Sequence, residues 1–144
     1  MRIEVVVVGE FQVNCFIVAE DGGKSALVID PGADAELILD CLERNKLAVA
    51  AYILTHGHMD HLAGLPYYLS QRAFQGMKAG TVVVPRETER GIDGMLRCWR
   101  EVERQGTPYR LVGMSPDELW EIRKDFGIRA VATHHGGPSL GYVL

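Results

Sequence analysis

All five histidines of the 144-residue chain fall in two places. His56, His58 and His61 stand within Thr55-His56-Gly57-His58-Met59-Asp60-His61, and His134-His135 follows Thr133 at the end of a β-branched run. Imidazole nitrogen and carboxylate oxygen are the ligand types of hydrolytic zinc sites, which use three protein ligands and leave a further position for water. In an extended segment alternate residues share a side, so His56 and His58 point together. Asp60 and His61 step off in a second direction, and Gly57 keeps the turn sterically open. One short segment can thus serve two ions side by side. A lone histidine is usually a satisfied core or surface residue, but four ligand-type side chains in six positions after an apolar strand argue for metal. Taken alone, His134-His135 reads equally well as a solvated strand end; the first cluster raises its weight.

These residues need elements to hold them. Ile3–Val8, Asn14–Ala19 and Ser25–Ile29 are β-branched runs, the last two separated by the turn signal Asp21-Gly22-Gly23, and read as three strands. Across Asp34–Asn45 the period changes: Leu37, Ile38, Cys41 and Leu42 recur at helical spacing. Ala48–Leu54 is apolar throughout, as in a strand buried on both faces, so strand, helix and strand predict a parallel pair with a right-handed crossover. The histidine motif follows directly. Further on, Leu62–Gln71 reads as a helix, Thr81–Val84 as a strand, and Glu87–Arg104 as the longest helix, with Ile92, Met95, Leu96, Trp99 and Val102 as its core stripe. Ser115-Pro116-Asp117-Glu118 has the form of a capping box, yet Trp120 and Ile122 alternate with charge before Asp125-Phe126-Gly127 and Ile128–Thr133, which favours a hairpin.

Composition bounds the alternatives. With 47% hydrophobic and 24% charged residues, the chain is neither disordered nor collagenous. Its length suits one domain, residues 1–144, since domains typically run ~100–200 residues. The longest apolar runs, Val5–Val8 and Ala48–Leu54, fall far short of the ~18 residues of a membrane span, and the N-terminus lacks the basic and apolar regions of a signal peptide. A cytoplasmic location is the expectation. Three cysteines, Cys15, Cys41 and Cys98, do not form a disulfide framework, and the first two read as small buried hydrophobes. Residues 1–70 carry 4 basic and 10 acidic side chains against 11 and 9 in residues 71–144. The Arg86–Arg110 segment is the place to look for anion recognition, although mixed charge at this density usually marks a solvated helix face.

At Asp30-Pro31-Gly32 and Thr55 to His61 the sequence resembles the metallo-β-lactamase superfamily, whose signature is His-x-His-x-Asp-His after a buried strand. The resemblance implies an α/β fold, an αββα sandwich here shortened to its first half and part of its second. It implies that His56, His58 and His135 hold one metal, that Asp60 and His61 hold a second, and that Asp30 braces the ligand loop. Residues 11–65, with Phe11-Gln12-Val13-Asn14-Cys15 and Val28-Ile29-Asp30-Pro31-Gly32, look like the hydroxyacylglutathione hydrolase (glyoxalase II) branch. Residues 64–142, ending in His135-Gly136-Gly137-Pro138-Ser139-Leu140-Gly141-Tyr142, look like the ribonuclease Z branch. The family pattern continues to a metal-bridging aspartate and a last histidine, and neither follows His135. The helical domain with which the glyoxalase branch grips glutathione is also missing.

The expected activity is hydrolysis of an ester-type bond by water activated on zinc, with Asp60 as the catalytic residue that orients that water or takes its proton. Candidate substrates are a small-molecule ester or thioester, or an RNA phosphodiester. One zinc site is expected to be strong and the second incomplete. The competing expectation is a catalytically silent metal-binding half-domain that needs a partner chain or a second copy. A homodimer fits that reading, because strands such as Ile3–Val8 would otherwise leave an apolar sheet face uncovered.

Overall fold

The structure, a computed structural model, describes residues 1–124 and 126–144. A six-stranded sheet runs in the order β1 (Arg2–Val8), β2 (Val13–Ala19), β3 (Ser25–Ile29), β4 (Ala48–Ile53), β5 (Gly80–Pro85) and β6 (Tyr109–Met114). The first three strands pair antiparallel and β3 to β6 pair parallel. The expected parallel pair is therefore present, β3 and β4 being joined through α1 (Ala35–Arg44). A second sheet contains β7 (Leu119–Arg123), β8 (Phe126–Ala132) and β9 (Leu140–Val143), all antiparallel.

One face of the large sheet presents Cys15, Ile17, Val28, Tyr52, Leu54, Val82 and Val84 to a helical layer. That layer contains α1, α3 (Leu65–Phe74) and α4 (Glu89–Glu103), contributing Ile38, Leu42, Leu65, Leu69, Ile92 and Leu96. The opposite face presents Leu27, Ile53, Val83 and Met114 to Ile128, Ala130 and Leu140 of the small sheet. Each fully buried aliphatic or aromatic side chain contributes about 1.5–3 kcal/mol, so both faces stabilise the large sheet. The layers are helices, sheet, sheet. Among the described residues no helix covers the outside of the small sheet, which is the shortened sandwich expected.

Several boundaries differ from the sequence reading. The helix expected over Leu62–Gln71 is two helices, α2 (Met59–Leu62) and α3, broken at Ala63-Gly64. The hairpin at 119–132 is present, but Asp125 lies outside the described residues. Strands β6 and β9 escaped the sequence reading, because Tyr109–Met114 includes a glycine and an arginine and β9 spans only Leu140–Val143. The core stripe of α4 must also be corrected. Ile92 and Leu96 are buried, whereas Trp99 is 42% and Val102 71% exposed. The helix packs on β6, the edge of the sheet, with no strand beyond it among the described residues. Its inward position in the last turn is taken by Glu103, which accepts hydrogen bonds from the Ser70 hydroxyl (2.7 and 2.8 Å). On α1, Leu37 likewise stays half exposed while Ile38, Cys41 and Leu42 are buried.

Candidate metal centre

The C-terminal ends of the parallel strands converge at one edge of the sheet, where open α/β sheets place their ligands. Asp30 ends β3, Thr55 to His61 follow β4, and Thr88 lies just past β5. Asp30 adopts a left-handed backbone with φ 53°, a conformation that aspartate tolerates better than most residues. The turn aims its carboxylate across at the histidine loop.

That carboxylate fixes a chain of hydrogen bonds. The Thr55 amide donates to Asp30 Oδ1 (2.8 Å) and the Thr55 hydroxyl donates to Oδ2 (2.6 Å). The same hydroxyl oxygen lies 2.9 Å from His56 Nδ1. Its one proton is directed to the carboxylate, so the contact with His56 requires Nδ1–H to donate. His56 Nε2 is thereby left as a bare lone pair. It is buried and has no hydrogen-bond partner, an arrangement that costs about 1–3 kcal/mol when nothing satisfies the atom. A cation is the partner that a bare imidazole nitrogen accepts, so the residues present fit a metal ion. Burial, followed by the neighbouring His61, holds the His56 pKa below the ordinary histidine value. The neutral imidazole is the form that ligates.

The other histidines gather around His56. Ring centroids lie 4.6 Å away for His58, 4.0 Å for His61 and 4.4 Å for His135. His56, His58 and His135 each bring a ligand atom within 4.8 Å of the others, and Asp30, His56 and His61 form a second such group. His134 is exposed and joins neither group. Asp60 also lies outside both, half-buried, with Oδ2 3.7 Å from His61 Nε2. His61 Nδ1 is 3.0 Å from Asp30 Oδ2 but lacks an aligned hydrogen-bond partner. The carboxylate facing the second group is therefore that of Asp30, which the sequence reading treated as a brace alone.

Two close packings hold the loops together. A Cβ added to Gly32 would fall 2.0 Å from the Asp60 carbonyl oxygen, and one on Gly64 would fall 2.4 Å from the Gly32 carbonyl. The small sheet then docks beside the loop. His56 bridges to Ser139, the Leu140 amide donates to the Thr55 carbonyl (2.9 Å), and the half-buried Tyr142 donates its hydroxyl to the Leu54 carbonyl (3.0 Å). These contacts bring His135 to the cluster. The roles of Thr55 and Tyr142 were missed in sequence; a threonine beside the first histidine was the one signal available for Thr55.

The arginines between 86 and 110 behave as a solvated face. Arg86 pairs with Glu118, Arg97 pairs with Asp93, and Arg100 lies over the Tyr109 ring.

The sequence profile of the Metallo-beta-lactamase superfamily matches residues 8–144. The chain belongs to that superfamily, whose members are metal-dependent hydrolases. Both branches resembled in sequence occur among its relatives. The tRNase Z TRZ1 of Arabidopsis thaliana is 28% identical over 123 residues, covering 85% of this chain and 44% of that protein. Hydroxyacylglutathione hydrolase GloC of Haemophilus influenzae is 42% identical over 62 residues, 43% of this chain and 29% of that protein. The matched segment thus spans less than half the length of either relative. In fold it is similar to the crystal structure of BLEG-1 B3 metallo-beta-lactamase, with a TM-score of 0.70 and 22% identity, covering 98% of this chain and 66% of that one.

Proposed function

We propose that this protein is a metal-dependent hydrolase of an ester-type bond, a phosphodiester or a thioester, with zinc held by His56, His58 and His135. The buried, partnerless Nε2 of His56 facing those two imidazoles is the observation that carries the reading. Zinc bound there would supply an activated water and polarise the scissile oxygen. Asp30 and Thr55 keep His56 in the ligating tautomer and fix its ring plane. Asp60, half-buried beside His61, is the group assigned to orient the attacking water or accept its proton. With Asp30 or Asp60, His61 offers a weaker second site. The relative matched over most of this chain carries a ribonuclease name, which favours an RNA phosphodiester over a thioester. Cys15, Cys41 and Cys98 are all unpaired thiols, in keeping with a reducing cytoplasmic setting. Among the described residues no helix is long and apolar enough to cross a membrane.

Elemental analysis after dialysis, combined with turnover of bis(p-nitrophenyl) phosphate and S-D-lactoylglutathione, tests the reading. It expects closer to one zinc than two per chain and metal-dependent turnover of at least one compound. Tight zinc with no turnover of either compound favours the second reading, a half-domain completed by another chain. One observation favours that reading: Ile3, Val5 and Val7 on the outer face of β1 are each more than half exposed, forming an apolar row the small sheet does not cover. A second copy packed there makes a homodimer, and sedimentation across micromolar concentrations reads it directly.

A further inference from the structure

A cavity of about 440 Å3 lies between α1 and α3, toward the end of β4 away from the histidine loop. Ligand pockets commonly measure ~300–1,000 Å3 and are apolar but for a few placed polar groups. The apolar wall here comes from Leu39 and Leu42 of α1, Leu47 and Val49 around the start of β4, and Met77 beyond α3. Tyr52, Tyr68 and Arg72 bring donors to the lining. The two tyrosines are 3% and 1% exposed, with ring centroids 5.6 Å apart. The Arg72 stem lies over bare backbone, since a Cβ added to Gly80 would come within 3.4 Å of its Cδ and Nε. Both terminal nitrogens are tied down, Nη1 donating to the Val49 carbonyl and Nη2 to the Lys78 carbonyl, each at 3.3 Å. That leaves Nε, which is buried and has no hydrogen-bond partner among the described residues; the Tyr68 hydroxyl is in the same state. Burial raises the Tyr52 pKa while the Arg72 guanidinium beside it pulls the other way, and Tyr52 stays a neutral O–H donor. Glu43, the carboxylate in the lining, is exposed on α1.

We propose that this cavity binds an aliphatic monocarboxylate of medium chain length, its carboxylate turned to Arg72 and its chain lying along Leu39, Leu42, Leu47 and Met77. The donor set selects the head group. Arg72 Nε–H and the two tyrosine hydroxyls can all donate, and an ionised carboxylate is a group that only accepts. An ammonium has no lone pair to offer and meets a guanidinium of like charge. An alcohol accepts, but without the charge that makes a guanidinium–carboxylate bond roughly twice as strong as a neutral one. The walls select the tail. Leu39 and Met77 are 37% and 40% exposed, and a hydrocarbon chain laid across them takes apolar surface out of water. The site is separate from the metal centre, because none of the candidate metal ligands lines it.

Methionine methyl NMR with sodium octanoate, set against octan-1-ol and octylammonium chloride, tests this, because Met77 lines the cavity while Met59 reports on the histidine loop. Octanoate should move the Met77 methyl signal saturably and leave Met59 in place. Octan-1-ol should bind about tenfold more weakly, and octylammonium more weakly still. Arg72→Gln should weaken octanoate binding at least about tenfold. Leu39→Asp, on the exposed side of α1, should abolish it without touching the buried donors, and this variant decides the matter should Arg72→Gln not fold. Glu43→Gln removes a like charge from the rim and should tighten octanoate. The proposal is overturned if octylammonium binds as tightly as octanoate, if Glu43→Gln weakens octanoate, or if the response survives Leu39→Asp or a folded Arg72→Gln. An unmoved Met77 overturns it too, and marks a water-filled cavity only. Met59 moving in place of Met77 would put the carboxylate at the histidine loop and remove this site.

Discussion

The two histidine loops are built differently. The first rises from β4 in the middle of the large sheet, has His56 buried, and is locked by Asp30 through three contacts and by the backbone packing at Gly32 and Gly64. The second, around His135, is exposed from His134 to Pro138 and is fastened at its far end by Ser139 and Leu140. In the first loop, folding has already met the entropy of ordering His56, although His58 is exposed like His135; on the proposed reading, much of the cost of ordering the second loop, about 1–2 kcal/mol per residue fixed, falls on the binding step. On the proposed metal reading, the centre has a half fixed by folding and a more exposed half that binding would order further.

The sharpest way to break this contrast is through glycine. Gly32→Ala places a Cβ against the Asp60 carbonyl, where backbone has to move, and overpacking of this kind costs about 1–3 kcal/mol or more. At a size near 150 residues that corresponds to a fall of roughly 2–12 °C in Tm. Gly136→Ala and Gly137→Ala meet nothing within 4 Å and should stay within about 0.5 kcal/mol of the parent, as surface substitutions do. Thermal unfolding of the three variants measures it. Equal losses would mean that the loops do not differ in rigidity.

Zinc affinity, read by competition with a chelator, sharpens the same contrast at the level of ligands. His58→Ala should abolish the tight site, whereas His134→Ala should change it little, since His134 reaches neither ligand group. Asp30→Asn keeps the size of the brace but removes its charge. Loss of such a supporting group typically lowers metal affinity about 10–100-fold, so this variant belongs between the other two. Equal losses at His58 and His134 would assign the ligand to the wrong member of the second pair.

The same division explains what could be read from the sequence. The rigid half announces itself, because a continuous apolar strand, Asp30-Pro31-Gly32 and a dense ligand motif are local patterns whose spacing fixes their geometry. The parallel β3–α1–β4 unit was legible for the same reason. What was missed is long-range. That Asp30 joins His56 and His61 in the second group depends on how two loops 25 residues apart pack, and Gly32 and Gly64 give no sign of it until their neighbours are known. Among the described residues strand β6 pairs only with β5, and its register is set by that partner rather than by its own alternation. The exposure of Trp99 follows from α4 lying at the sheet edge, which a helical period cannot report.

The smallest effect expected is also the most direct test of the closing loop. If the second half orders only when a cation is bound, zinc should slow amide hydrogen exchange within residues 133–139. It should leave residues 52–56 nearly unchanged, because β4 and its continuation already bond to β3, β5 and Leu140. Exchange measures the free energy of local opening, and each 1.4 kcal/mol gained slows it about tenfold. Fastening two or three residues of an exposed loop, at about 1–2 kcal/mol each, should therefore slow their amides by at least about tenfold. Ser139→Ala removes the bond accepted from the Thr133 hydroxyl (2.8 Å) and the longer one donated to the Thr133 carbonyl (3.4 Å), and loss of two exposed hydrogen bonds costs about 1–2 kcal/mol at most. The variant should exchange faster in the metal-free state and converge on the parent when zinc is present, because the His135 ligand bond then replaces the lost fastening. Protection rising equally in both loops would show that the first is no more preorganised than the second. Protection rising in neither would remove His135 from the ligand set.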